Sequence, residues 1–398
     1  LKMFKSLFPK ATITLSTLFL SFLGVDAQTQ TNGRQSNNIV TAVPFLLITP
    51  DARAGSMGNA GVAVDGDANS SSINVSKLAY IKEDYGFGVS YSPWLKNLVP
   101  DINLAYLTAY YKLDDRNTIA AAMRYFSLGN INIIDENQQD LGSFSPSELA
   151  LDASFVRSFG EEFALGTTLR YVRSNLSSGL FGTTQQSAAG QAVAVDVSGI
   201  YKTNTQFLNT DAILSIGANI SNIGTKMSYS SGGTSYFLPT NFKFGGASTF
   251  LIDSFSEFTF ALDFNKLLVP TQPIYNADGT IQSGKDPNRS VPAGIFGSFS
   301  DAPGGFSEEL KEVGISTGIE YRYNKQFALR AGYNYESPQK GDSRYFTLGA
   351  GLRYNVFNID LSYLVASTQQ SPLANTLRFS LLFNFGSAKS GNSNPQVN

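Results

Sequence analysis

After residue 84 the chain alternates apolar and polar positions with a period of two. Leu377, Phe379, Leu381, Phe383 and Phe385 fall on one face of an extended segment. Thr376, Arg378, Ser380 and Asn384 fall on the other, with Leu382 the exception. The same pattern sets Phe258, Phe260, Leu262 and Phe264 against Thr259, Ala261, Asp263 and Asn265, and Ile315, Thr317, Ile319, Tyr321 and Tyr323 against Ser316, Gly318, Glu320, Arg322 and Asn324. Successive side chains of a strand point to opposite sides, so each such run has one apolar and one polar face. The pattern predicts strands over 84–94, 102–112, 117–128, 149–158, 163–173, 190–203, 212–222, 240–250, 257–266, 313–323, 326–335, 344–354, 356–365 and 375–385. Segments of roughly 9–11 residues alternating in this way are what a bilayer requires of a β-barrel.

The connections agree with that list. After even-numbered strands they are short, as at 113–116, 160–162, 324–325 and 355, with 203–211 and 251–256 slightly longer. After odd-numbered strands they are mostly long, as at 129–148, 174–189, 223–239 and 267–312. Short periplasmic turns alternating with longer outer loops are the outer-membrane pattern. An even strand count then places both termini in the periplasm. Apolar faces ending in Tyr321, Tyr323, Tyr333, Tyr335, Tyr354 and Tyr363 suit interfacial girdles. The opposite faces carry Arg124, Asp152, Arg170, Asp196, Asp263, Glu320, Arg322, Arg330, Glu336, Arg353, Asp360 and Arg378. Both signs are present. They pair across the lumen and brace the wall, or they line a solute-selecting path.

Composition narrows the class. Charged residues are 15% of the 398, aromatic residues 13%, and there are 36 glycines, with mean hydropathy -0.08. In a barrel the lipid-facing and lumen-facing sets cancel in such an average. The chain has no cysteine and no histidine, which excludes disulfides and thiolate metal sites and removes the usual general base. The formal charge of -2 gives no reason to expect nucleic acid. Lys2, Lys5 and Lys10 precede an apolar stretch from Ala11 to Val25, and Val25-Asp26-Ala27 offers small residues for cleavage, so 1–27 reads as a signal peptide. No later run approaches the ~18 apolar residues of a membrane helix. The expected division is signal peptide 1–27, polar disordered linker 28–43, N-terminal segment 44–83, barrel 84–385 and flexible tail 386–398.

Three strings resemble catalytic or ligand motifs. Gly314-Ile315-Ser316-Thr317-Gly318 fits the hydrolase nucleophile string. That motif needs a strand-to-helix turn and a histidine partner; Ser316 lies inside a predicted strand. Gly279 to Asp286 approaches a phosphate-binding loop but has Asp286 where magnesium needs Ser or Thr. Asp65-Gly66-Asp67 lacks the spacing of a calcium loop. No catalytic residue, metal site or cofactor is expected. Apolar side chains on outer loops, namely Trp94, Leu95, Leu98, Leu180, Phe181, Phe237, Phe296, Phe299 and Phe306, are candidate partner contacts, unless the loops pack on one another over the barrel mouth. Ser307 is a candidate N-cap for a helical turn over 307–312.

The segment 44–83 is rich in small residues and neither strongly alternating nor charged, which suits a plug inside the lumen; the alternative is a periplasmic tail. Pro50-Asp51-Ala52-Arg53-Ala54, Met57-Gly58, Ala60, Ala63, Asn74 and Leu78 form a pattern that resembles the N-terminal segment of FadL-like barrels, which also have fourteen strands. Pro44 to Arg53, Tyr323 to Tyr333, Phe346 to Asn355 and Pro372 to Leu381 resemble more specifically the PorV family, FadL-like outer-membrane proteins of the type IX secretion system. Asn74-Val75-Ser76 departs from the family's usual Asn-Pro-Ala or Asn-Pro-Ser. The resemblance covers about 44–385 and implies a lumen plug containing Phe45, Leu46, Asp51, Arg53, Met57 and Asn74. It implies a carrier that takes the C-terminal signal domain of secreted cargo from a giant translocon barrel to a sortase-containing attachment complex. Outer-membrane lipid is the other expected contact. Two other functions compete: a transporter of small hydrophobic molecules, as in other FadL-like barrels, and an envelope enzyme using a carboxylate pair such as Glu320 and Asp360.

Overall fold

In the computed structural model, residues 39–94, 101–134, 139–176, 188–207, 209–230, 233–366 and 375–386 are described. Fourteen antiparallel strands form one closed barrel, each beside its neighbours in sequence. They are β1 (Tyr85–Pro93), β2 (Ile102–Lys112), β3 (Asn117–Leu128), β4 (Ser147–Ser158), β5 (Phe163–Asn175), β6 (Gly190–Phe207), β7 (Thr210–Gly224), β8 (Asn241–Leu251), β9 (Ser256–Leu267), β10 (Val313–Tyr323), β11 (Phe327–Tyr335), β12 (Tyr345–Tyr354), β13 (Phe357–Ala366) and β14 (Leu377–Phe385). β1 closes on β14, with Tyr85 opposite Phe385 and Tyr91 opposite Phe379. Among the described residues no helix is long and apolar enough to cross a membrane. The spanning is done by strands, whose backbone groups all find partners in a closed sheet.

Every predicted strand is present, with ends shifted by a few residues. The largest extension is at the β6–β7 hairpin, which continues to Phe207 and restarts at Thr210. Thr203 to Gln206 carry no apolar alternation, so the ladder outlasts the pattern that revealed it. Burial alternates residue by residue along β1 and β5. The exposed phase carries Phe87, Val89, Tyr91, Leu165, Leu169, Phe260, Phe264, Leu377 and Phe379, the set that faces lipid. Asn324 and Lys325 both have positive φ, 51° and 54°, the two-residue turn that matches strand twist. Among the described residues the wall's register shifts once, between Val195 and Val197 of β6. There Asn222 has φ 61°, and its freed N–H donates to the Asp196 carboxylate at 2.7 Å.

The residues before β1 form short turns rather than a second sheet: 3-10 turns at Pro44–Leu47, Ala68–Ser72 and Val75–Tyr80, and helix α1 at Ala52–Ser56. Polar caps hold them. Asp51 accepts from the Arg53 and Ala54 amides, Asp67 and Ser70 form a reciprocal capping box, and Asn74 accepts from the Ser76 amide. Ala42 and Val43 are already buried, and the Ala42 amide donates to the Phe237 carbonyl at 2.8 Å, so packed chain begins ahead of residue 44. The segment bonds to the buried faces of strands all round the barrel. Examples are Asn69 to Ser90 of β1, Thr108 of β2 to the Ala68 carbonyl, and the Ser76 amide to Ser198 of β6. Others are the Gly58 amide to Thr347 of β12 and the Ala52 amide to Ser380 of β14. Two wall glycines permit this approach. A Cβ on Gly217 would lie 2.3 Å from the Val62 carbonyl oxygen, and one on Gly332 would lie 2.1 Å from the Gly58 nitrogen.

Within the long connections, residues 131–134 pair with 140–144, 227–228 with 235–236, and 274–275 with 281–283. The longest also carries α2 (Val291–Gly297) and α3 (Phe306–Glu309), the latter running into a 3-10 turn at Leu310–Glu312. The expected turn over 307–312 therefore starts earlier. Its N-cap is Gly305, with φ 67°, because the Ser307 hydroxyl instead reaches back to the Gly304 carbonyl.

Candidate functional site

The interior of the barrel is organised by charged side chains placed on inward-facing strand positions. Glu320 of β10 and Arg330 of β11 are directly opposite in register. Arg330 Nε donates to Glu320 at 2.6 Å and its Nη1 to Asp360 at 2.5 Å. Arg53, from α1, brings Nε and Nη2 to the two Glu320 oxygens at 3.1 and 2.9 Å. Its Nη1 reaches the Asp65 carbonyl at 3.0 Å and Asp67 at 3.3 Å. Burial disfavours the Arg53 charge, but Glu320 and Asp67 outweigh it and hold the guanidinium well above its ordinary value.

The adjoining Asp65 pairs with Lys202 at 2.6 Å and Arg322 at 3.2 Å. Burial raises its carboxyl, the two cations more than offset that, and it is held at about 2. Lys77, by contrast, is pushed below its ordinary value by burial; its ammonium donates to the Gly61 carbonyl at 2.8 Å.

A second network lies across β4 to β7. Arg170 pairs with Asp152 at 2.7 Å and Asp196 at 3.0 Å, and it donates to Asn222 at 2.5 Å. Arg124 donates to the Leu46 carbonyl at 2.6 Å. Asp263 accepts from the Gly61 and Val62 amides at 2.7 and 2.9 Å. Arg378 is buried beside Gly55, with Trp94 lying 5.6 Å from its guanidinium carbon. Arg353 stands apart: it sits exposed at the end of β12 and pairs with Glu83.

The candidate segment residues come together as well. Phe45 and Leu46 are buried with Leu104, Phe126 and Val172, and the Phe45 and Phe126 rings stack with centroids 6.1 Å apart. Met57 rests on Gly318. Asn74 Nδ2 donates to the Val62 and Gly199 carbonyls at 2.8 and 3.2 Å. Sequence reasoning passed over Asp67, Asn69 and Lys202 as anchors of the segment. They lie outside alternating runs or at strand ends, where phase carries no information.

The loop candidates divide sharply. Phe296, Phe299 and Phe306 are exposed, the first and last at 79% and 75%. Phe237 is not available to a partner: it is buried against Gly294, with Lys226 Nζ 4.3 Å from its ring. Trp94 packs against the apolar cluster around Phe45. Leu95, Leu98, Leu180 and Phe181 lie outside the described residues, as do the signal-peptide and tail assignments. The loop bearing α2 and α3 is tied to the barrel by Lys266, which pairs with Glu309 and Glu312, and by Lys340, which pairs with Glu308 and Glu312.

The three motif strings have structural uses. Ser316, in the middle of β10, donates across to Asn334 of β11 at 2.9 Å. Gly279 turns a short exposed hairpin with φ 83°. Asp65 and Asp67 serve the ion pairs and cap above, and among the described residues no acidic cluster is arranged to hold a metal ion.

Between residues 46–49 and the long-connection ends of β7 to β11 lies a cavity of about 230 Å³. Its lining includes Leu46, Leu47 and Ile48, the asparagines Asn219, Asn241, Asn265 and Asn334, and the charged Lys243, Lys311, Glu312, Glu336 and Lys340.

A family model described as "Type IX secretion system protein PorV" matches residues 30–274. Among solved structures, the Pseudomonas putida toluene transporter TodX is similar at 14% identity and TM-score 0.46, over 87% of this chain and 98% of that one. The Ralstonia pickettii toluene transporter TbuX is similar at 12% identity and TM-score 0.43, over 85% and 98%. A Pseudomonas aeruginosa FadL homologue is similar at 10% identity and TM-score 0.42, over 85% and 99%. No curated protein matches the sequence.

Proposed function

The chain belongs to the PorV family of type IX secretion system proteins, and from that premise we propose that this outer-membrane barrel is a non-enzymatic cargo carrier. In this reading it receives the C-terminal signal domain of a secreted protein at the giant translocon barrel. It then carries that cargo to the sortase-containing attachment complex. The family match is the observation that carries the proposal. The exposed aromatics of the 268–312 connection support it, because large apolar side chains held on an anchored loop suit transient protein contact. Both termini lie in the periplasm, the long connections face outward, and the wall meets outer-membrane lipid. Residues 44–83 act as a plug that keeps the lumen closed while cargo is handled at the rim.

The transporter alternative needs an apolar pocket against the N-terminal segment; the cavity there is lined by four asparagines of the wall together with Lys243, Lys311, Glu312, Glu336 and Lys340. The experiment is affinity purification of the tagged protein from native outer membrane, followed by mass spectrometry. The expected companions are a very large barrel, a sortase and secreted proteins sharing one C-terminal domain. Recovery of the barrel alone with fatty acid or another apolar small molecule would overturn the carrier reading.

A further inference from the structure

At the rim of short connections, neighbouring strands turn over the links 113–116, 159–162, 252–255 and 324–326. The β6–β7 hairpin instead runs past the strands on either side of it. β5 pairs with β6 only as far as Tyr201, and β8 pairs with β7 only as far as Ala212. β6 and β7 go on pairing with each other down to Phe207 and Thr210. The Lys202 amide, donating to the Glu162 carbonyl at 2.7 Å, makes the last bond toward β5.

That bond fixes which way the backbone of the projecting strand points. Alternate residues turn their N–H and C=O groups to opposite sides. Lys202 faces β5, so Asn204 and Gln206 face the same way, where the sheet has already ended. Thr203, Thr205 and Phe207 face β7. Among the described residues no strand pairs with Asn204 or Gln206 on that side. An open edge is a template for another strand, and folded proteins guard such edges with lysine, proline or a bulge. Thr203-Asn204-Thr205-Gln206-Phe207 has no charged residue and no proline, and Asn204, Gln206 and Phe207 are exposed. The register from Val197 to Phe207 runs without a shift.

Charge around this edge has one sign. Glu161 and Glu162 lie on the turn beside Lys202, Asp211 lies at the far end of the hairpin, and all three are exposed. Among the described residues none of them forms an ion pair. Glu162 accepts from the Tyr201 and Thr203 hydroxyls at 2.9 and 2.6 Å, and Asp211 from the Gln206 amide group at 2.9 Å. The cations closest in the chain are engaged elsewhere: Lys202 with Asp65, and Arg157 with Asn117 of β3.

We propose that the free edge of β6 at residues 203–207 takes up an extended, basic segment of a periplasmic protein as an added strand. Its backbone bonds to Asn204 and Gln206, and its lysine or arginine side chains meet Glu161, Glu162 and Asp211. At ~3.3 Å per residue the edge is roughly 16 Å long, enough for a partner strand of the same length. A folded surface would leave the edge groups unpaired, and an acidic segment would meet three carboxylates. The carrier reading uses the opposite rim, and peptide binding here needs neither cargo nor translocon, so failure of one leaves the other standing.

The test is fluorescence anisotropy of labelled peptides with the full-length protein in non-ionic detergent. The probe is a peptide of alternating threonine and lysine, long enough to cover the edge. One control has the same charge with proline in place of threonine, so it cannot join a sheet; the other alternates threonine and glutamate. The threonine–lysine peptide is expected to bind saturably with a dissociation constant of about 100 µM or tighter, and both controls at least roughly tenfold more weakly. Asn204→Pro should abolish binding, because its lost N–H points away from β7 and the hairpin keeps its own bonds. Glu161→Gln with Asp211→Asn should weaken binding about fivefold. Heat-modifiable electrophoretic mobility reports whether each variant is a folded barrel, and the comparison among peptides uses the unaltered protein. Absence of saturable binding by the threonine–lysine peptide overturns the proposal. So does equal binding of either control, or unchanged binding by a folded Asn204→Pro. A dimer in detergent that Asn204→Pro converts to monomer would overturn it too, since the edge would then be closed by a second copy of the hairpin.

Discussion

Arg53 and Glu320 meet through two parallel hydrogen bonds, at 3.1 and 2.9 Å, and this contact joins the N-terminal segment to the barrel wall. Arg330 takes the same carboxylate from the other side and passes on to Asp360. Glu320 is fully buried between two guanidinium groups. Removing it leaves two buried cations with one remaining wall carboxylate. Loss of one member of such a pair costs about 3–5 kcal/mol. Glu320→Ala should therefore lower the urea midpoint strongly, and trypsin should gain access to the residues around Arg53. Arg53→Met combined with Glu320→Ala should cost less than the sum of the two, because Glu320→Ala strips the buried Arg53 of its bidentate partner and Arg53→Met removes that stranded charge. Additive losses would mean that the bidentate contact does not couple the segment to the wall.

Close backbone approach gives a second expectation. Gly332→Ala would place a methyl group against the Gly58 nitrogen, and Gly217→Ala would place one against the Val62 carbonyl. In both cases backbone must move, at a cost of about 1–3 kcal/mol for overpacking. Gly246→Ala is the matched control: its Cβ meets nothing nearer than the Ser215 carbonyl oxygen at 3.5 Å. Thermal denaturation should separate the first two variants from the third. Equal melting of all three would show that the segment does not rest on these strands.

The strand pattern was readable because a membrane barrel leaves each wall residue only two environments, lipid or interior. Glu320, Arg330, Asp360 and Arg378 could be assigned to the interior by phase alone, and all four are buried. Phase fails at strand ends, where both directions reach water. Arg353 occupies an inward position by count yet sits exposed beside Glu83. The 3-10 turns before β1 were illegible for a different reason. Runs of four to six residues are too short for a period, and their caps, such as Asp67 and Asn74, look like any polar loop residue. Phe237 and Phe296 are equally apolar and equally far from strand centres, yet one is buried by Gly294 and the other exposed. That difference rests on how the loops fold over one another, which local sequence does not encode.

Acid should loosen the segment through Asp65. Its folded carboxyl is held at about 2, below the ordinary 3.8. A group whose folded value is depressed stabilises the fold fully above its unfolded value and loses that contribution as pH falls through the folded value. Wild-type protein should therefore exceed Asp65→Asn in urea midpoint at pH 5. The gap should narrow between pH 3.8 and 2 and vanish below. A gap that persists unchanged at lower pH would show that the Lys202 and Arg322 contacts do not depend on the Asp65 charge.

The aromatic loop offers the most direct test of the carrier reading. Phe296 and Phe306 lie at 79% and 75% exposure, on a connection held to the barrel by Lys266 and Lys340. Full burial of a side chain of this size against a partner contributes roughly 1.5–3 kcal/mol. Phe296→Asp together with Phe306→Asp should thus reduce recovery of cargo with the tagged protein by at least about tenfold, while the barrel keeps its heat-modifiable mobility. Phe237→Ala should behave in the opposite way. It removes a ring buried against Gly294, so the loop cap should lose stability and become protease-sensitive before any specific loss of cargo is seen. If the double aspartate variant recovers cargo as well as wild type does, the exposed aromatics are not the contact. The signal domain would then have to be bound elsewhere on the molecule, with the remaining outer connections the next to be substituted.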